Sequence, residues 1–76
     1  MNAERTILRV LDEAKPRLLN VGTLWSDVHL EDDRVSYSVF RKSLQKLEEK
    51  EQVVVVPGED RDKAKITQAG EARLAE

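Results

Sequence analysis

Four consecutive valines, Val53 to Val56, constrain this chain more than any other stretch. β-Branched side chains are stiff at the first torsion and pack well on a pleated surface, so such a run favours a strand. A strand cannot stand alone, because its backbone N–H and C=O groups need partners. Pro57-Gly58 follows as a turn signal, then the polar run Gly58-Glu59-Asp60-Arg61-Asp62. Lys63-Ala64-Lys65-Ile66-Thr67 alternates polar and apolar residues, as a half-buried strand does. Together these segments predict a β-hairpin, whose apolar face the rest of the chain must cover.

Three helical segments precede it. From Asn2 to Lys15, Ile7, Leu8, Leu11 and Ala14 follow the spacing of one helix face, with Asn2 as the expected N-cap and Pro16 ending the helix. Residues 16–22 form a connector in which Arg17 to Asn20 is expected to be briefly extended and to pair with a later strand. A second helix is predicted from Thr23, its cap, to about Leu30, with Leu24 and Val28 inward and Trp25 in the core. Glu31-Asp32-Asp33-Arg34 breaks the pattern. Ser36 then caps a third helix reaching about Glu51, in which Phe40, Leu44 and Leu47 form the apolar stripe and Val35 precedes as a staple residue. Gln68 to Glu76 reads as a short helical tail, packing through Ala69, Ala72 and Leu74 or Ala75.

Size and composition narrow the function classes. A chain of 76 residues is a single small domain, expected to span residues 1–76, with little room for a deep catalytic cavity. There is no cysteine and one histidine, His29, which leaves no Cys-based zinc cluster and no His-rich metal site. Gly22, Gly58 and Gly70 are isolated, so no glycine-rich phosphate loop exists. No nucleophile has a base beside it, and Asp32-Asp33 and Glu59-Asp60 lie on expected loops. Neither an enzyme, a metal nor a cofactor is therefore expected. No apolar run approaches the ~18 residues of a membrane span. Without a signal-peptide core the chain is expected in the cytoplasm.

The order helix, short strand, helix, helix, strand, strand, short helix makes an α+β domain: a three-helix bundle with a C-terminal hairpin. Residues 24–70 resemble the winged helix-turn-helix domain of MarR-type and PadR-type transcriptional regulators. Two stretches carry the resemblance. Val35 to Glu48 (Val-Ser-Tyr-Ser-Val-Phe-Arg-Lys-Ser-Leu-Gln-Lys-Leu-Glu) is similar to the recognition helix of those families. Ile66-Thr67-Gln68-Ala69-Gly70 is similar to the aliphatic-Thr-x-x-Gly motif that ends their second wing strand. The chain departs from the pattern twice. Glu51 stands where the family often has glycine, which predicts a shifted or strained helix end. Glu31, Asp32 and Asp33 occupy the turn that would lie near a DNA backbone, where acids are costly.

The resemblance implies double-stranded DNA as partner, with the third helix in the major groove and the hairpin, or wing, on the backbone. Tyr37, Ser38, Arg41, Lys42, Gln45 and Lys46 are then the candidate DNA-binding residues of the helix. Arg and Lys suit guanine and Gln suits adenine. Arg61 and Lys63, with Lys65, are the candidates on the wing, opposed by Glu59, Asp60 and Asp62. Arg5, Arg9, Arg17 and Arg34 are further candidates for phosphate contacts. The chain carries −2 overall, yet Val35 to Lys50 has four cations against two acids. The same pattern also suits a solvated helix face. A winged helix used as a protein-interaction module, docking through the valine-rich hairpin edge or the Tyr37 face, is the alternative reading. A homodimer through the first helix fits either.

Overall fold

The computed structural model describes residues 3–59 and 61–76. Asn2, the expected cap of the first helix, and Asp60, an acid of the expected hairpin loop, lie outside the described residues. The chain is α+β: α1 (Ala3–Ala14), β1 (Leu19–Asn20), α2 (Val21–Glu31), α3 (Tyr37–Glu49), β2 (Val53–Val56), β3 (Lys63–Ile66) and α4 (Gln68–Leu74). The three strands form one antiparallel sheet in the order β1-β3-β2. Val53 faces Ile66 and Val56 faces Lys63 in the hairpin, and Leu19 faces Ala64 across the other edge. The expected extended piece before α2 is therefore β1, and it pairs with β3.

The helical stripes meet the inner face of this sheet. Ile7, Leu8 and Leu11 of α1, Leu24 and Val28 of α2, and Phe40, Leu44 and Leu47 of α3 are buried together with Val35, Val53, Ala64 and Ile66. Ser36 caps α3, its hydroxyl accepting from the Val39 N–H at 3.2 Å.

Three expectations need correction. The second helix starts at Val21, capped by Asn20 without a side-chain bond, and not at Thr23. The reason is non-local: the Val21 N–H donates to the Asp62 carbonyl at 3.0 Å, so the hairpin satisfies one of the first-turn donors that have no partner within the helix. In the tail, Ala69, Ala72 and Ala75 are exposed, and the inward positions are Gly70 and Leu74, four apart on one face. Trp25 is only half-buried. Its ring meets Phe40 at 5.4 Å on the core side and Tyr37 edge-on at 5.3 Å on the outer side.

The corner between α3 and β2 explains the Ile66-to-Gly70 motif. Glu51 has φ 61, in the left-handed region. The N–H of Gln52 donates to Leu47 O at 2.9 Å and that of Glu51 to Glu48 O at 3.0 Å, the paired bonds of a Schellman ending. Glu51 thus performs the turn normally given to glycine, at the cost of Cβ strain. The corner's two carbonyls then anchor the tail. Thr67 N–H donates to Gln52 O at 3.1 Å, and Thr67 Oγ1 donates to Glu51 O at 2.7 Å. The same hydroxyl accepts from Gly70 N at 3.2 Å and caps α4. Gly70 lies against the corner: a Cβ there would come within 2.4 Å of Gln52 O and 2.7 Å of Ile66 Cγ1.

A polar hub closes the opposite side of this corner. Glu4, in the first turn of α1, accepts from Arg73 at 2.7 Å and from Lys50 at 3.4 Å, while Arg73 also donates to Gln52 Oε1 at 2.9 Å. The Arg73 hydrogen bond, assisted by Lys50, holds the Glu4 carboxyl below its ordinary value of 4.5 against the opposing effect of burial.

Gly70→Ala is expected to lower the unfolding free energy by about 3 kcal/mol, because a backbone carbonyl cannot yield to the methyl; chemical denaturation measures it. Glu51→Gly is expected to raise it by roughly 1 kcal/mol, the relieved left-handed strain outweighing glycine's greater freedom when unfolded. Glu4 stabilises the fold fully above its ordinary pKa of 4.5, and that contribution disappears as pH falls through the lower folded value. Glu4→Gln should flatten this acid limb in a pH series of melting temperatures.

Candidate nucleic-acid interface

The outward side of α3 follows from its buried stripe. With 100° per residue, Ser38, Lys42, Gln45 and Glu49 fall roughly opposite Phe40, Leu44 and Leu47. Arg41 and Glu48 flank them on the side of the hairpin. Arg41, Lys42 and Gln45 line a cleft whose other wall is Val55, Pro57 and Asp62, with Val21 of α2 at its end. Three of the expected residues are thus brought together beside the hairpin, in company with two carboxylates, Glu48 and Asp62.

The other five lie apart from that cleft. Ser38 is exposed in the first turn, on the same outward face as Lys42. Lys46 is exposed but lies about 140° round the helix from Arg41, on the flank away from the cleft. Tyr37 is 54% exposed and is held edge-on by Trp25, so it is a fixed aromatic edge rather than a free side chain. Lys63 stands on the outer face of the sheet, opposite Val56, and Lys65 stands beside it, opposite Val54. Arg61 folds back over α2: a Cβ at Gly22 would lie 3.1 Å from its Nη1. Its guanidinium therefore sits at the positive end of a helix dipole, beside Lys63 in a small polar depression. Asp62 is the residue that sequence reasoning undervalued. It reads locally as one more loop acid, and nothing near it signals that its carbonyl holds the start of α2.

Ion pairing sorts the remaining charges. Arg9 bridges Glu31, and Arg34 pairs with Asp32 at 3.1 Å, so two acids of the α2–α3 turn are neutralised from within. The Arg34 hydrogen bond holds the Asp32 carboxyl below the usual carboxylate range, and Glu31 correspondingly raises Arg9. Arg5 donates to the carbonyls of Leu74 at 3.1 Å and of Arg73 and Glu76 at 3.4 Å, where it caps the end of α4. Lys15 bridges Asp12 and Glu71. Arg5, Arg9 and Arg34, offered as phosphate contacts, are therefore engaged inside the protein. Among the described residues, seven cations have no such engagement: Arg17, Arg41, Lys42, Lys46, Arg61, Lys63 and Lys65. All but Arg17 lie on α3 or the hairpin.

Among the described residues, no group of three or more His, Asp or Glu side chains is placed to hold a metal ion. No helix among them is long and apolar enough to cross a membrane. No family model matches the chain, and no match to it is found among curated proteins or solved structures.

Proposed function

We propose that this chain is a winged helix-turn-helix domain that binds double-stranded DNA, with α3 in the major groove and the β2–β3 hairpin as the wing on the backbone, in the service of transcriptional regulation. The observation that carries the reading is the allocation of cations. Those on the body of the domain, Arg17 excepted, are consumed by its own acids and carbonyls, whereas six on α3 and the hairpin are left for an outside anion. The pairing of Glu31 with Arg9 and of Asp32 with Arg34 removes much of the repulsion that the α2–α3 turn would offer to phosphates. In this reading Arg41, Lys42 and Gln45 meet base edges and Arg61 and Lys63 meet phosphates.

A docking module without DNA is the second reading, and two observations favour it. Glu48 and Asp62 share the cleft with Arg41 and Lys42, and Val54 and Val56 are exposed on the outer face of the sheet. One titration separates the two. Fluorescence anisotropy against pooled duplexes at low salt is expected to saturate, and its logarithmic salt slope should not exceed about 5 if the six cations each release about 0.9 counterion. Arg41→Ala is expected to weaken a preferred site by about 1–3 kcal/mol, as loss of a guanine contact does. No saturation by about 100 µM protein, at which even non-specific binding is seen, sinks the DNA reading and leaves the docking module.

A further inference from the structure

We propose that Trp25 is a positioning residue for DNA binding: it holds the Tyr37 ring so that the Tyr37 hydroxyl donates to a backbone phosphate beside α3. This role rests on the DNA reading above and gives α2 a part in it. Tyr37 is the first residue of α3 and is 54% exposed. Trp25 of α2 meets it edge-on, with ring centroids 5.3 Å apart and planes at 83°. Trp25 is itself bracketed, by the buried Phe40 at 5.4 Å and by the His29 ring at 5.0 Å. Tyr37 also lies 6.1 Å from Phe40. An aromatic chain thus runs from the core, through Trp25, to Tyr37 at the surface where α2 meets α3.

A ring in this state suits one kind of contact. Tyrosine has only two side-chain torsions, and here its ring is already pinned, so binding costs little further ordering. Its hydroxyl, a donor and an acceptor, makes no hydrogen bond among the described residues. A pinned ring with an idle hydroxyl is a preorganised neutral donor. Arg41 stands four residues on, on the same flank of α3, and it too has no partner among the described residues. Tyr37 therefore opens the edge that Arg41 continues into the cleft. The N-terminal residues of a recognition helix are those that reach the duplex, and tyrosine is among the side chains that meet its phosphates. Base edges are the lesser match, because a ring held by Trp25 and Phe40 cannot turn to follow them.

Anisotropy titrations of labelled duplexes with the whole chain, repeated at several salt concentrations, test it. Tyr37→Phe keeps the ring and is expected to weaken binding about five-fold on every duplex alike, the worth of one net hydrogen bond. Its salt slope should equal that of the wild type, because a neutral donor releases no counterion, whereas Lys63→Ala should lower the slope by about 0.9. Trp25→Leu should also cost about five-fold, Trp25→Phe should retain most of the affinity, and Trp25→Leu should cost nothing further when added to Tyr37→Phe. A merely structural tryptophan would add its loss in either background. Trp25 is the sole tryptophan, so its emission should change along the same isotherm as the anisotropy. Unweakened binding by Tyr37→Phe overturns the proposal, and so does saturation with the Trp25 emission unchanged. A Trp25→Leu loss that persists in the Tyr37→Phe background overturns the positioning role. If far-UV circular dichroism shows Trp25→Leu unfolded, Tyr37→Phe and Trp25→Phe decide alone. Absence of any saturation overturns the DNA reading itself, and this role with it.

Discussion

Two carbonyl oxygens, those of Glu51 and Gln52, hold this domain in register. They sit where α3 turns into β2, and the main chain and hydroxyl of Thr67 bind both. That one residue fixes three directions: the exit of α3, the return of β3 and the start of α4. The angle between α3 and the hairpin is set here rather than at the hairpin tip. The cleft that brings Arg41 beside Pro57 and Asp62 inherits its shape from a corner on the far end of the helix. Backbone oxygens suit the task because they cannot rotate away as side chains do. The close seat of Gly70 makes the arrangement intolerant of any added atom.

Much of the architecture was legible because the stabilising patterns are local. Phe40, Leu44 and Leu47 show one helix face, Ser36 stands where a cap belongs, and the four valines bounded by Pro57-Gly58 can hardly be anything but a strand. Even the substitution of glycine by Glu51 was informative, since it marked the helix end that the structure places at φ 61. What escaped was non-local. The start of α2 depends on the Asp62 carbonyl, far along the chain, and no reading of Asn20 or Thr23 reveals that. The alanines of the tail looked like packing residues by composition, but the Thr67 cap sets the helix phase and turns Gly70 inward instead.

The candidate site was legible in kind and not in arrangement. Sequence alone identifies exposed cations on α3 and the hairpin. It does not say which cations the protein uses for itself. Arg9 and Arg34 look as available as Arg41 until the fold sets them against Glu31 and Asp32. Nor does sequence place Lys46 on the flank away from the hairpin, or fold Arg61 back over the first turn of α2. Net charge conceals the same division. A chain of −2 holds a body whose charges are largely paired and an edge whose charges are not.

The closure of α4 on α1 bears on how the chain can form. Arg5 grips carbonyls in the last residues, and Glu4 holds Arg73, contacts that span almost the whole sequence. Contacts of such separation raise the entropy that must be lost before they reward it. The first helix therefore precedes the other described elements in the chain and is among the last to have its packing completed. Gly70 of α4 seats directly against Leu8, so that contact of α1 forms only once α4 is in place. During synthesis α1 therefore emerges well before the α4 residues that pack on its Leu8 side, and the closure of α4 on α1 comes late in the formation of this domain.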